Sequence, residues 1–329
     1  MSETKALAYA ASPLQLLNIY AAMKKFNVFN CDVYILNDGE SNRHLQMQQC
    51  ADLFGLKYIL VSAQQMNIKS FQLLLSLLKS PFQKKMYEYL FFGDYRNGYV
   101  ALYLTQYLKK GGRVIFVDDG NISISILRGL DVDKKTQLFY NFFDIWSRIL
   151  GVSAKDYFTI YRQGDNCKFN VIPNDMLGTI SCGKICDEIF FIGPAVGALA
   201  KDLGVSPNYV LDCIKQTLNK IKDKYSSEQI VFVPHGRFDN EIVENICKKI
   251  GVEYRRLDLC VELYCVRRGC FPKIVYNIGS SSCLINIKQI SPKTKVYDCD
   301  IQFSNEKNMK IYEEIRSYYA ENGVEYICM

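Results

Sequence analysis

Four short polar segments follow apolar runs in this sequence, and their residue types suit proton transfer and anion binding. A carboxylate can take a proton from a hydroxyl group, whereas imidazole, guanidinium and hydroxyl groups can hold an oxyanion. Together these types suit a reaction in which a hydroxyl attacks and an anion leaves. The segments are Ser12-Pro13-Leu14-Gln15, Asp118-Asp119-Gly120, His235 with Arg237, and Ser280-Ser281-Ser282.

His235 is one of two histidines and stands in the segment QIVFVPHGRFDN, at the end of an apolar run. Its imidazolium could donate to an oxyanion or protonate a leaving group, and Arg237 beside it supplies a permanent charge. The alternative is a loop histidine whose hydrogen bonds are satisfied within the protein. His44 lies on a predicted amphipathic helix and is interpreted as structural or solvent-facing.

Asp118 and Asp119 are adjacent carboxylates at a predicted strand end, so their side chains point in different directions. One could face a ligand as a base while the other caps a helix or binds backbone amides. A structural turn is the default for such a dipeptide alone. Ser12 likewise reads as a helix cap or as part of a polar pocket, with Gln15 one turn further on.

The three serines at 280–282 lie between a predicted strand and the start of a predicted helix. Serine hydroxyls and unpaired backbone N–H groups at a helix start suit a bound phosphate. Helix capping accounts for only one of the three.

Strands and helices alternate along the chain. Residues 150–185 break the pattern into short pieces, and a helical region is predicted at about 67–110. The predicted strands are ALAYAAS, CDVYIL, KYILVS and GGRVIFVDDGN in the first half, and EIFFIG, QIVFVPH, EYRRL and KIVYNIG in the second.

This alternation predicts an α/β protein with two Rossmann-like domains facing a central cleft, the GT-B architecture. A chain of 329 residues is long enough for two domains. Residues 1–185 are predicted to form an N-terminal Rossmann-like domain and residues 186–304 a C-terminal Rossmann-like domain. Residues 305–329 are predicted to form a final helix that could cross back to the first domain.

Composition excludes several functional classes. The net charge of +6 is too small to indicate nucleic acid, and the 13 cysteines form no CxxC pair and read as small buried thiols. No cluster has the spacing of a zinc site, so no metal is expected. No apolar run approaches a membrane span, which predicts a cytoplasmic protein or one peripheral on the inner membrane face.

The segment LLKSPFQKKMYEYLFFGDYRNGYV mixes lysines with aromatic residues and has two interpretations. It could rest on an anionic lipid surface. A core helix with solvated lysines is favoured, because aromatic residues at helical spacing usually face the interior. The residues concerned are Lys79, Phe82, Lys84, Lys85, Tyr87, Phe91 and Phe92.

The order of the four polar motifs resembles glycosyltransferase family 52, the lipooligosaccharide sialyltransferases, with bacterial polysialyltransferases as relatives. The motifs are a strand ending in Ser-Pro-Leu-Gln, an acidic pair before glycine, a histidine turn and a serine turn. The resemblance runs from Ser12 to about Ser282. It departs at Gly236, where the family pattern has proline after the histidine, and glycine gives that turn more backbone freedom.

The resemblance implies that residues 1–185 bind the acceptor and that residues 186–304 bind the CMP-activated sugar. It also implies a role for each motif. Asp118 or Asp119 would be the base on the acceptor hydroxyl, and His235 would meet the donor phosphate and act as general acid. Ser280 and Ser281 would hold that phosphate. Glu262, between the last two motifs, matches a glutamate that binds the cytidine ribose.

The implied activity is inverting, metal-independent transfer of a sialic acid from a CMP-activated donor to a sugar hydroxyl, such as galactose, of a bacterial surface glycan. The partners would be the nucleotide sugar and the glycan acceptor, with no nucleic acid, and a homodimer is left open. Two alternatives remain. One is a glycosyltransferase that uses a different nucleotide sugar, and the other is a non-catalytic sugar-nucleotide-binding protein of a glycan assembly complex.

Overall fold

The computed structural model describes most of the chain as two compact units, Met1–Asp175 and Met176–Met329. Each unit is built around its own parallel β-sheet. The boundary predicted at residue 185 lies inside a strand of the second unit, Lys184–Ile192. The described residues are 4–37, 39, 41–62, 85–95, 97–130, 134–175, 184–236, 241–302 and 304–328.

The first unit contains a seven-stranded sheet in the order β3-β2-β1-β4-β5-β6-β7, and the pairings between its described strands are parallel. The strands are β1 (Lys5–Ala10), β2 (Asn30–Asn37), β3 (Tyr58–Ser62), β4 (Tyr87–Phe92), β5 (Leu108–Val117), β6 (Ser153–Thr159) and β7 (Asn170–Pro173). The helices are α1 (Pro13–Lys25), α2 (Ser41–Leu53), α3 (Gly98–Thr105), α4 (Asn121–Leu127) and α5 (Lys134–Leu150).

The second unit contains a six-stranded sheet in the order β10-β9-β8-β11-β12-β13, again with parallel pairings. The strands are β8 (Lys184–Ile192), β9 (Gln229–Val233), β10 (Glu253–Tyr254), β11 (Cys270–Ile278), β12 (Lys295–Cys299) and β13 (Glu325–Ile327). The helices are α6 (Val196–Leu203), α7 (Pro207–Lys224), α8 (Glu241–Ile250), α9 (Val261–Arg268), α10 (Cys283–Ile290) and α11 (Glu306–Glu321).

Both sheets have the strand order of a Rossmann fold. Numbered within its own unit, each sheet reads 3-2-1-4-5-6, with one further strand in the first unit. The predicted α/β class with two Rossmann-like units is therefore confirmed. In such sheets ligands bind beyond the carboxyl ends of the strands, where the order reverses between the first and fourth strands. That position lies between β1 and β4 in the first unit and between β8 and β11 in the second.

The region about 67–110 is not one helix, as the sequence predicted, because it contains β4. Tyr87, Phe91 and Phe92 are buried in this strand at the middle of the sheet, so both the lipid-surface and the core-helix interpretations are wrong for them. Aromatic residues favour strands, and a central parallel strand is covered on both faces. Lys79, Phe82 and Lys84 lie outside the described residues.

The final segment belongs to the second sheet. After α11, β13 pairs in parallel with β12, and the Asn308 side chain of α11 donates to the carbonyl of Asp202 at 2.6 Å. Among the described residues no helix is both long and apolar enough to cross a membrane.

Candidate active site

In the first unit, Gln15 joins the ends of β1 and β5. Its Nε2 donates to Asp119 Oδ1 at 2.6 Å, and its Oε1 accepts from the Ala11 backbone N–H at 2.6 Å. Gln15 is only 1% exposed, so both ends of its amide are fixed by the protein. Ser12 is the N-cap of α1 and accepts from the Gln15 N–H at 3.3 Å. The cap therefore also positions Gln15.

Gly93 makes this arrangement sterically possible. It directly follows β4, which lies between β1 and β5 in the sheet. A Cβ atom at Gly93 would lie 2.7 Å from Gln15 Cβ and 2.7 Å from its Oε1. Such distances do not occur between real side chains, so only glycine lets Gln15 pass over β4 to reach Asp119. This role is not visible in the sequence, because it depends on the position of β4 between β1 and β5.

Asp118 is buried and bound to the protein backbone. Its Oδ2 accepts from the Ile160 N–H at 2.9 Å, which ties the end of β5 to the end of β6. Burial raises the pKa of its carboxyl to about 7, and hydrogen bonds from Thr159 and Ile160 counter that rise only in part. At 1% exposure Asp118 has almost no accessible surface through which to touch a substrate.

Asp119 is half-buried rather than buried. Its backbone N–H donates to Ser123 Oγ at 2.7 Å, which fixes the start of α4. The adjacent aspartates thus differ, with Asp118 held inside and Asp119 at the edge beside Gln15. Of the two aspartates, Asp119 is the one that keeps part of its surface exposed, although its Oδ2 atom is buried.

Two asparagines that the sequence did not indicate complete this group. Asn18 Nδ2 donates to the Asp118 carbonyl at 3.4 Å, and Asn18 Oδ1 accepts from Asn174 Nδ2 at 2.9 Å. Both asparagines are buried. We call Gln15, Asn18, Asp118, Asp119 and Asn174 the N-terminal polar cluster. Asn18 lies on the same helix face as Gln15, which is the only sign the sequence offered.

In the second unit, residues Gly279–Ser282 form a turn between β11 and α10 that we call the serine turn. Gly279 has φ +87° and Ser280 has φ 57°. Left-handed backbone is unfavourable for a residue with a Cβ atom, so Ser280 needs support from its surroundings. Asp298 in β12 provides it by accepting from the Ser280 N–H at 3.1 Å and from its Oγ at 2.5 Å.

The remaining serines of the turn are arranged differently from Ser280. The Ser281 N–H donates to Asn277 Oδ1 at 2.8 Å, and its hydroxyl donates to Cys283 Sγ at 3.1 Å. Ser282 is the N-cap of α10, but its hydroxyl makes no capping hydrogen bond. Of the three predicted phosphate ligands, Ser282 therefore has the hydroxyl most available to an anion.

Glu262 and Asn286 form a buried pair beside the serine turn. Asn286 Nδ2 donates to Glu262 Oε1 at 2.7 Å, which joins the first turn of α9 to α10. Asn286 Oδ1 accepts no hydrogen bond from the described residues although the side chain is fully buried. Buried polar atoms are usually paired, so this oxygen marks a place where a bound hydroxyl or water could donate.

His235 lies at the same edge of the second sheet. It follows β9 by two residues, and its side chain is exposed. One strand, β8, separates β9 from β11. Arg237 lies outside the described residues. Among those residues no group of three or more His, Cys, Asp or Glu side chains could hold a metal ion.

Comparison with known proteins gives no family. No family model matches the chain, and no curated protein matches it. Three similar solved structures have TM-scores of 0.49. They are a putative UDP-N-acetylglucosamine 2-epimerase from Listeria monocytogenes (10% identity, covering 98% of this chain and 90% of that one), a glycosyltransferase from Rickettsia africae (10%, 98% and 95%), and Anabaena HepE in complex with UDP and glucose (8%, 97% and 91%).

These results correct the resemblance to glycosyltransferase family 52. No family model supports it, and none of the solved structures named above is a sialyltransferase. The motifs that carried the resemblance are short segments at strand ends, where any Rossmann-like unit places polar residues. Likenesses at this level carry no function, so the proposal below rests on the residues of this chain.

Proposed function

We propose that this chain is a glycosyltransferase that moves a sugar from a nucleoside-diphosphate sugar to a hydroxyl group. The second unit binds the donor, and the first unit binds the acceptor. The observation that carries this proposal is the serine turn. It follows the fourth strand of a Rossmann-ordered sheet, at the point where such sheets bind nucleotides.

The serine turn offers hydrogen-bond donors to a diphosphate. The Ser282 hydroxyl makes no capping hydrogen bond, and α10 begins directly after it with its positive dipole end toward the turn. Backbone N–H groups at a helix start bind phosphate oxygens in the same way. Because Ser280 is committed to Asp298, its part in the site is to shape the backbone rather than to donate its hydroxyl.

Glu262 and Asn286 are proposed to support the donor site from inside the fold, because both side chains are buried and their hydrogen bond joins α9 to α10. Their buried pairing holds both side chains in place before a ligand arrives. His235 at the same sheet edge is proposed to donate to the phosphate as charge develops on the leaving nucleotide.

Asp119 is proposed to be the base that takes the proton from the acceptor hydroxyl. Gln15 orients it through the 2.6 Å hydrogen bond, and Asp118 anchors the strand end beneath it. A base must reach the proton that it removes, and Asp119 has the exposure that Asp118 lacks. With donors at the phosphate and a base at the hydroxyl, transfer is proposed to need no metal.

Thermal shift with a panel of nucleotides tests this proposal. A nucleoside diphosphate from the set UDP, GDP and ADP should raise the Tm in a concentration-dependent way, because a ligand that binds only the folded state stabilises it. The corresponding nucleotide sugars should then be consumed in the presence of a sugar acceptor. The absence of stabilisation by any diphosphate would overturn the proposal, and stabilisation by CMP alone would contradict its diphosphate donor.

A further inference from the structure

We infer that Asp298 is a positioning residue of the donor site, which holds Ser280 in the left-handed conformation that shapes the serine turn. The inference deepens the proposed function and rests on it. Asp298 is not part of any motif in the sequence. It lies in β12, beside β11, and its register partner is Asn277, three residues before Ser280.

The two hydrogen bonds from Ser280 show how Asp298 acts. One comes from the backbone N–H at 3.1 Å and the other from the side-chain Oγ at 2.5 Å, so both donors of Ser280 point to the same carboxylate. A residue with φ 57° and a Cβ atom is unfavourable unless its surroundings fix it. Asp298 supplies that fixation from the neighbouring strand.

The side of β11 that faces β8 is held as well. Asn277 Nδ2 donates to the Ile192 carbonyl at the end of β8, at 2.7 Å, and Asn277 Oδ1 accepts from the Ser281 N–H. The turn is therefore tied to both neighbouring strands. These hydrogen bonds therefore also fix the direction of the backbone N–H groups at Ser282 and at the start of α10.

Asp298 itself is placed behind the turn and not in the ligand space. It is 1% exposed, and its neighbours from α11 and the end of β12 are polar. Arg316 Nε lies 3.9 Å from its Oδ2, and the same guanidinium lies 3.6 Å from Asp300. Tyr319 OH donates to the Ser280 carbonyl at 3.3 Å. A carboxylate in this place can act on a ligand only through the backbone it holds.

Substitutions at Asp298 and Ser280 distinguish a positioning role of Asp298 from a general effect on the stability of the fold. The ligand is the diphosphate among UDP, GDP and ADP that stabilises the wild type most, and its Kd is measured by titration calorimetry. Asp298→Ala should weaken binding by about tenfold or more, because Ser280 leaves its left-handed conformation. Glycine adopts that conformation without support. Asp298→Ala combined with Ser280→Gly should therefore return the Kd to within about threefold of the wild type.

Two further variants test the inference if Asp298→Ala folds poorly. Asp298→Asn retains an acceptor for the Ser280 N–H and should lie between the wild type and the alanine variant. Asp156→Ala removes a carboxylate that is likewise buried, in the first unit, where it binds Arg113 at 2.8 Å. It should lower the Tm without changing the Kd.

The outcomes distinguish the inference from the proposed function. A wild type that binds none of the three diphosphates overturns the proposed function and the inference with it. A wild type that binds, together with an Asp298→Ala protein that is folded and binds equally well, overturns the inference alone. The same holds if Ser280→Gly fails to restore binding to the alanine variant.

Discussion

At the scale of single residues, the N-terminal polar cluster depends on one missing side chain. Gln15 can bind Asp119 only because residue 93 has no Cβ atom. The hydrogen bonds of Gln15 join the ends of β1 and β5, and the space that it passes through lies at Gly93, after β4. The arrangement is therefore sensitive to changes at Gly93 that introduce no charge and remove no hydrogen bond directly.

Gly93→Ala should displace Gln15 and lower the rate of sugar transfer while leaving the Kd for the nucleotide unchanged. Overpacking of this kind costs about 1–3 kcal/mol of folding free energy. The double variant Gly93→Ala with Gln15→Gly removes the Cβ and Oε1 atoms that the new methyl group would meet, so its Tm should recover in part while transfer stays low. A double variant with restored transfer would show that Gln15 has no part in the reaction.

Asp118 should give the protein a characteristic dependence of stability on pH. Its pKa is raised to about 7 in the folded protein, against about 3.9 in an unfolded chain. The folded state then binds the extra proton between those values. Stability from this group is fully present at low pH and is lost as the pH rises through about 7.

Asp118→Asn removes that titration and retains an acceptor for the Ile160 N–H. Its Tm should fall less than that of the wild type between about pH 5 and about pH 8, as measured by thermal unfolding at each pH. Parallel Tm curves for the two proteins would show that Asp118 does not change its protonation on unfolding in this range.

Residue types were predictable from the sequence, but their pairings were not. Asp118, Asp119 and Ser280 stand out because they follow apolar runs. Gly93 and Asp298 do not stand out in the sequence, because their roles exist only when neighbouring strands are in register. The distance between Gln15 and Asp119 along the chain hides a contact that the sheet order creates.

At the scale of elements, two helices begin with the same design and differ in what they carry. Ser12 caps α1 and Ser206 caps α7, each with proline directly after it, and each hydroxyl accepts a backbone N–H, at 3.3 and 3.2 Å respectively. The N–H that Ser12 accepts is that of Gln15. The one that Ser206 accepts is that of Tyr209, which has no part in the proposed site.

Ser12→Ala and Ser206→Ala should each lower the free energy of unfolding by about 1 kcal/mol. Only Ser12→Ala should also lower the rate of transfer, because it loosens the turn that holds Gln15. Urea unfolding and a transfer assay on both variants test this. Equal transfer rates in the two variants would show that the Ser12 cap of α1 has no effect on the proposed site.

Element prediction succeeded where apolar runs were bounded by turn residues and failed where they were not. The cap and proline before α1, and the apolar run of β9, are local signals, and the structure follows them. The segment of β4 is predicted as helix because its aromatic residues also fit helical spacing. β6 begins with exposed or half-buried residues and β7 has only four residues, so their pairing in the sheet is what stabilises them.

At the scale of the whole molecule, the chain contains two units with one sheet topology. Such a repeat of topology was predictable because alternation of strands and helices is visible in both halves of the sequence. The donor specificity was not, because the short motifs that suggested CMP-sialic acid are compatible with many nucleotide ligands. A turn that binds phosphate recognises its negative charge. The nucleobase is selected by other side chains.

Removal of metal ions should not affect sugar transfer. Transfer should proceed at the same rate after exhaustive treatment with EDTA, because the serine turn and the α10 N-terminus are proposed to stabilise the leaving phosphate themselves. Restoration of a lost activity by Mg²⁺ or Mn²⁺ after chelation would contradict that part of the mechanism.

Donor binding is proposed to belong to the serine turn, and removal of the acceptor proton to Asp119. The most direct measurement is the Kd for the stabilising nucleoside diphosphate together with kcat for transfer, in Ser282→Ala and Asp119→Asn. Ser282→Ala should weaken the Kd by about tenfold or more, as loss of a hydrogen bond to a charged group does. Asp119→Asn should leave the Kd unchanged and lower kcat by about a hundredfold or more. A Kd unaffected by Ser282→Ala would show that the serine turn does not bind the donor, and a kcat unaffected by Asp119→Asn would show that Asp119 is not the base.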